Sequence, residues 1–169
     1  MRIIYDRIRF ICNGMATKRF HTMRTLQENT VAHHSFGVAM LVLELTEGNA
    51  SADLLREALH HDLAEHVLGD MPAPAKRKMD IGKVVSAEEE RLLGELWFPA
   101  ELSEGEKRTL KIADALDGAM FCCTERKLGN TGITPIYEKF MSYVNERNPI
   151  GTETVVVAAV CSLWCEATR

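Results

Sequence analysis

The pair His61-Asp62, within ALHHDLAEHVLGDMPAPAKRK (residues 58–78), sets an imidazole beside a carboxylate. Nitrogen and oxygen donors of this kind hold Zn²⁺, Co²⁺, Mn²⁺ or Fe²⁺, and a cation so held can acidify a water and polarise a phosphoryl oxygen. Two donors are too few for a metal, so the rest of the chain has to bring others to the same place. His33-His34 and the acidic residues of LKIADALDGAMF, Asp114 and Asp117, are the candidates.

Helical periodicity sorts the doubled histidines. Thr30 is an N-cap candidate for a helix reaching Glu47-Gly48-Asn49, in which Val31, His34, Val38, Leu41 and Leu45 form one stripe, apolar except at His34. His34 therefore points inward and His33 falls on a more polar face. In a helix from Ser51 to about Leu68, the same spacing groups Leu54, Ala58, His61, Glu65 and Leu68, leaving His60 toward water. One histidine on an apolar face is usually a hydrogen-bonded core residue; two on successive helices, one followed by Asp62, point to a shared ligand. Asp114 and Asp117 each share a stripe with Leu110, and periodicity does not choose between them.

The remaining elements read as helical too. Ile3 to Ile11 forms a first helix that Asn13-Gly14 should stop; Gly82 to Trp97 forms another. Ser103 and Glu106 make a capping box for a long helix ending near Gly129, Thr134-Pro135 starts the next, and Thr152 the last, despite the strand-like Val155-Val156-Val157. A polar segment of about 15 residues before Thr30 is long for a connection, and ordered loops of that length tend to carry function. The expected class is all-α.

Bulk properties set the frame. A chain of 169 residues, 46% hydrophobic and 26% charged, fits one folded domain. At a net charge of −4 it does not attract nucleic-acid polymers or anionic membrane as a whole, so an anionic substrate needs a local basic pocket. Lys18, Arg19, Arg24, Lys76, Arg77 and Lys78 are available for it, with Arg77 and Lys78 read as a solvated face. Five cysteines without a C-x-x-C pair argue against a disulfide framework or thiolate zinc site and for a reducing cytoplasm. The sequence shows neither an apolar run of membrane-spanning length nor a secretory leader.

The order His34, His61-Asp62, Asp114 resembles that of the HD-domain metal phosphohydrolases, an all-helical superfamily. More narrowly, KRFHTMRTLQENTVAHHS, HHDLAEHVLGDMPAPAKR and KIADAL look like its small single-domain branch, which contains bacterial 5′-deoxynucleotidases and phage deoxyadenosine triphosphohydrolases. The resemblance implies a compact bundle of about six to seven helices spanning residues 1–169. It implies a divalent cation, Zn²⁺, Co²⁺, Mn²⁺, Fe²⁺ or Mg²⁺, on His34, His61, Asp62 and Asp114, the ADAL match selecting Asp114 over Asp117. Glu65 would manage a proton on the attacking water or leaving oxygen, and Asp70 would act in catalysis or substrate contact. Arg19 and Lys76 would meet phosphate. Phe20, where the deoxynucleotidases carry tryptophan, would crowd out a 2′-hydroxyl, with His21 and Thr22 near the base. A homo-oligomer, dimer or hexamer, is also implied.

Three activities fit that resemblance: a dATP triphosphohydrolase, a 5′-deoxynucleotidase acting on monophosphates, and a catalytically silent nucleotide-binding module. The complete ligand set weighs against the silent module. The 52-residue interval from Asp62 to Asp114, together with the charge of Lys18, Arg19 and Lys76, favours the triphosphohydrolase.

Overall fold

A computed structural model describes residues 1–168 as an all-α protein. Its helices are α1 (Arg2–Met15), α2 (Val31–Leu45), α3 (Ala52–His60), α4 (Glu65–Leu68), α5 (Ala73–Lys78), α6 (Gly82–Gly94), α7 (Glu104–Lys127), α8 (Thr134–Asn145) and α9 (Thr152–Ala167). A 3₁₀ turn, Thr131–Ile133, leads into α8, and the only β-type pairing among the described residues is an isolated bridge between Lys18 and Thr30. No described helix is long and apolar enough to cross a membrane.

Helix α7 is the axis of the bundle and packs against α2, α8 and α9. Its start is fixed by the expected capping box: Ser103 Oγ accepts from the Glu106 amide at 3.3 Å, and Glu106 Oε2 accepts from the Ser103 amide at 2.9 Å. Ile112, Ala113, Ala115, Leu116, Ala119 and Cys122 then meet Val38, Leu41, Val42 and Leu45 of α2, with Leu54 and Ala58 of α3 closing one side. Tyr137 of α8 stacks on Trp164 of α9, ring centres 3.9 Å apart. Val155 to Val157 are helical: Val156 and Val157 pack on the core, and burial of apolar area outweighs the few tenths of a kcal/mol per residue that branching costs a helix.

Two boundaries differ from expectation, for packing reasons. Asn13-Gly14 does not stop α1; Gly14 lies inside it, buried, where a Cβ would stand 2.7 Å from Leu63 Cδ2 and 2.8 Å from the Leu63 carbonyl oxygen. Glycine there permits close approach instead of ending a helix. The helix expected from Ser51 to Leu68 breaks after His60. Leu63 N donates to His60 O (2.9 Å) and Glu65 N to Asp62 O (3.0 Å), turns that separate α3 from α4. With the short α5, this break gives nine α-helices among the described residues, against the expected six or seven.

The long polar segment before α2 is tied down at both ends. Arg19 N donates to Asn29 O at 2.9 Å and Val31 N to Thr17 O at 2.9 Å. At its far side the fully buried Glu125 of α7 accepts from the amides of Leu26 and Gln27, each at 2.8 Å, and from Asn130 Nδ2 at 2.7 Å. A buried carboxylate with three donors is satisfied, so the loop is held as firmly as a helix end.

Candidate metal centre

His34, buried on α2, is held from both sides of its ring. Its Nδ1 donates to Asp117 Oδ2 at 2.7 Å, and its Nε2 lies 3.2 Å from His61 Nε2, 3.2 Å from Asp114 Oδ1 and 3.3 Å from Asp62 Oδ2. His61, just past the end of α3, has Nδ1 3.1 Å from the Ala58 carbonyl, so that nitrogen carries the proton. Gly37 makes the Asp117 contact feasible, because a Cβ there would collide with Asp117 Oδ1.

These residues fit a cation. With both Nδ1 atoms committed as donors, the two Nε2 lone pairs face each other and the carboxylates, an arrangement that needs positive charge between them. Two nitrogens sharing one tetrahedral zinc stand about 3.3 Å apart, close to the 3.2 Å here. His34 Nε2, His61 Nε2 and an Asp114 oxygen form a group with mutual spacing within 4.8 Å. Electrostatics agree. Burial and Arg19 both oppose a charge on His34, yet its hydrogen bonds to Asp114 and Asp117, with Asp62 nearby, push its pKa up to about 9. Desolvation likewise opposes the Asp114 anion, but the hydrogen bond from His34 and the charges of His34, His61 and Arg19 draw it well below the usual carboxylate range. The pocket takes a proton where a metal would sit, and metal loading would displace it.

Around this core lie the groups that could manage phosphate and protons. Arg19 pairs with Asp62 through Nη1 and Oδ2. Glu65, at the start of α4, is buried with Oε2 lacking any partner, and desolvation followed by Asp62 raises its pKa to about 8 despite Arg19 and Lys76. Asp70, beyond Gly69 (φ 81°), has Oδ2 3.6 Å from His21 Nδ1. Phe20 adopts φ 55°, a conformation a bulky residue takes only under constraint, and it stacks on Phe121 with centres 4.6 Å apart. Phe140 meets its edge at 6.4 Å, lying over Gly118, where any Cβ would collide with it. Thr22 is exposed.

The sequence-derived residues His34, His61, Asp62, Asp114, Arg19 and Glu65 thus converge. Asp117, the alternative to Asp114, touches the same imidazole from its opposite nitrogen. Lys76 lies near enough to Glu65 for its charge to act on that carboxyl, and its Nζ is 3.3 Å from Glu89 Oε1 of α6, where α5 folds back on α6. Two readings need correction. Lys18 adds nothing to the cleft, since it pairs in solvent with Glu28 at 2.6 Å. His60 is only partly open to water and packs on the Trp97 ring, centres 4.8 Å apart, where burial and then Arg56 lower its pKa. Glu89 and Glu125 were missed. Each had a helical signal, Glu89 one turn after the buried Val85 and Glu125 one turn after the buried Cys122.

Comparison with known proteins agrees with this geometry. Residues 10–157 match the model of the family described as 5′-deoxynucleotidase YfbR-like. A dATP triphosphohydrolase of Salmonella phage PMBT28 is 30% identical, over 88% of this chain and 80% of its own. A 5′-deoxynucleotidase of Pectobacterium atrosepticum is 29% identical, over 69% and 70%. Among solved structures, the HD phosphohydrolase DatZ of cyanophage S-2L, bound to dA and one catalytic Zn²⁺ ion, superposes with a TM-score of 0.71 at 18% identity, covering 95% of both chains. An HD-domain phosphohydrolase of Listeria innocua gives 0.64 at 20% identity and 98% coverage of both. At these identities the solved structures show a shared fold.

Proposed function

Since the chain belongs to the YfbR-like family of HD phosphohydrolases, we propose that it cleaves phosphate from 2′-deoxynucleotides, dATP first, with a divalent cation on His34, His61, Asp62 and Asp114. The observation that carries the reading is the meeting of His34 Nε2, His61 Nε2 and Asp114 Oδ1, drawn from three separate helical segments. The cation supplies acidity to water and polarisation to a phosphoryl oxygen. Retention of all four ligands, with Glu65 and Asp70, supports an enzyme over a silent binding module.

The chain's own residues do the rest. Asp117 holds the His34 ring so that Nε2 faces the site, and the Ala58 carbonyl does the same for His61. Arg19, anchored on Asp62, presents the remainder of its guanidinium to a phosphate oxygen. Glu65, kept protonated near neutrality, delivers that proton to the 5′-oxygen as its bond to the α-phosphorus breaks and water oxygen takes its place. Phe20, on its platform of Phe121 and Phe140, forms an apolar wall against the sugar, and a 2′-hydroxyl buried there would lack a partner. The same bond would be cut whether one phosphate or three are attached, so this one set of residues can serve either substrate.

The deciding experiment incubates the protein with deoxy- and ribonucleotides, mono- to triphosphate, in Mn²⁺, Co²⁺, Zn²⁺ or Mg²⁺, and identifies products by chromatography. Deoxyadenosine with intact triphosphate from dATP is the expected outcome. Release only from monophosphates establishes the 5′-deoxynucleotidase instead, and no hydrolysis with any metal defeats the reading.

A further inference from the structure

One carboxylate beside the metal centre takes no part in the reaction described above. Glu89 projects from α6 with its side chain 19% exposed, and among the described residues its only hydrogen-bond and ion-pair partner is Lys76 of α5, Nζ to Oε1 3.3 Å. Burial raises its pKa in spite of Lys76, and the charges of Asp62 and His61 reach it, although no ion pair joins it to either. Both α4, which Glu65 opens, and α5, which carries Lys76, pack against α6. Glu65, Lys76 and Glu89 therefore form one group of three.

Lys76 acts on two carboxyl groups and touches one of them. Its charge is felt by Glu65, yet no ion pair joins the two among the described residues, and Glu65 Oε2 is buried without a partner. An unsatisfied buried acceptor costs free energy, so an ammonium close by should claim it. Two features divert the lysine to Glu89. Glu65 is only 6% exposed, and a pair there would strip water from both charges, whereas the pair with Glu89 keeps part of its hydration. The turn between α5 and α6 also folds back on Lys76 itself, Ile81 N donating to the Lys76 carbonyl at 3.1 Å, which returns α6 alongside the lysine.

We propose that Glu89 is a positioning residue for the hydrolysis: it holds the Lys76 ammonium to one side, leaving the Glu65 carboxyl free to turn toward the leaving 5′-oxygen. The inference rests on the phosphohydrolase reading and deepens it. Glu89 acts here through Lys76. Once the Glu89 carboxylate is removed, the ammonium is left to the unpartnered Glu65, and a lysine seated on that group keeps it from the bond that breaks.

The test measures kcat and KM for dATP and dAMP in the metal-loaded wild type, E89Q, E89D, K76M and the K76M/E89Q double variant, with folding checked by thermal melts and bound metal by elemental analysis. E89Q should lower kcat by about tenfold or more, leave KM within about twofold and keep bound metal at the wild-type level, and E89D should recover most of the loss. The double variant should match K76M alone within about twofold, because a lysine that is absent cannot be misdirected. Unchanged kcat in E89Q overturns the proposal, as does a loss from E89Q that persists at full size in the K76M background. A crystal structure of E89Q gives a reading independent of turnover. Lys76 Nζ within hydrogen-bond distance of Glu65 supports the positioning role, and Lys76 turned away from Glu65 refutes it. Should wild type hydrolyse neither nucleotide with any metal, it is the phosphohydrolase reading that fails, and that structure still decides where Lys76 goes.

Discussion

Helix α7 and the interrupted stretch from His61 to Lys78 face each other across one site and deliver side chains to it by opposite means. The 24-residue α7 is unbroken and capped, so Asp114, Asp117, Phe121 and Glu125 sit at fixed offsets. The opposing stretch contains two helices of four and six residues, and its site residues lie at ends and turns: His61 caps α3, Asp62 follows in the turn, Glu65 opens α4, and Asp70 lies beyond Gly69. The difference teaches a division of labour. The long rod sets Asp114 against one nitrogen of His34 and Asp117 against the other, while the broken backbone brings His61, Asp62 and the partnerless carboxyl of Glu65.

The sharpest break in that division comes from the turn itself. H61A or D62A should lower turnover by about a thousandfold or more with helicity retained, as measured by steady-state kinetics beside circular dichroism. Activity surviving in both variants removes the proposed site. E65Q keeps the shape but not the transferable proton, and should cost kcat about a hundredfold or more while bound metal, read by elemental analysis, stays near one ion per chain. On the rigid side, G37A forces Asp117 away from His34 and should weaken metal affinity about 10- to 100-fold in a chelator competition, with D117N matching it. E125Q replaces a carboxylate that accepts from two loop amides. It should raise KM several-fold and leave kcat within about twofold, since the loop carries Arg19 and Phe20 but not the ligands.

The smallest effect concerns the metal-free protein's response to pH. Glu65 holds a proton to about pH 8 when folded, against a carboxyl's ordinary 4.5, so folding stability falls as pH rises between those values. His34, raised to about 9 from 6.5, contributes stability that is complete below 6.5 and lost as pH climbs through 9. Both slopes have the same sign, so the midpoint of thermal unfolding should drop by several degrees between about pH 6.5 and 8, with added Zn²⁺ or Mn²⁺ flattening the trend. A rise over that interval would contradict the charge arrangement described for the pocket.

Legibility in the sequence follows the same divide. The rod was readable, because a capping box and a 3.6-residue stripe are local signals: α7 begins at Glu104 as its Ser103 cap requires, and His34 is inward as its stripe requires. What periodicity left open at Asp114 and Asp117 is explained by the imidazole, which uses one carboxylate on each nitrogen, so both had to lie on nearly the same face. The broken stretch was not readable. LLREALHHDLAEHVL contains no glycine or proline and carries a continuous helical stripe, and its break coincides with distant partners, Gly14 against Leu63 and Arg19 against Asp62. The Lys76 partner was hidden for a similar reason, since Glu89 belongs to a later helix.

The close fit of Gly37 against Asp117 also constrains how the chain can change over generations. Any lineage that enlarges position 37 has to shorten position 117 as well, and whichever substitution arrives first leaves the imidazole unanchored. Relatives should therefore show these two sites drifting in step or not at all.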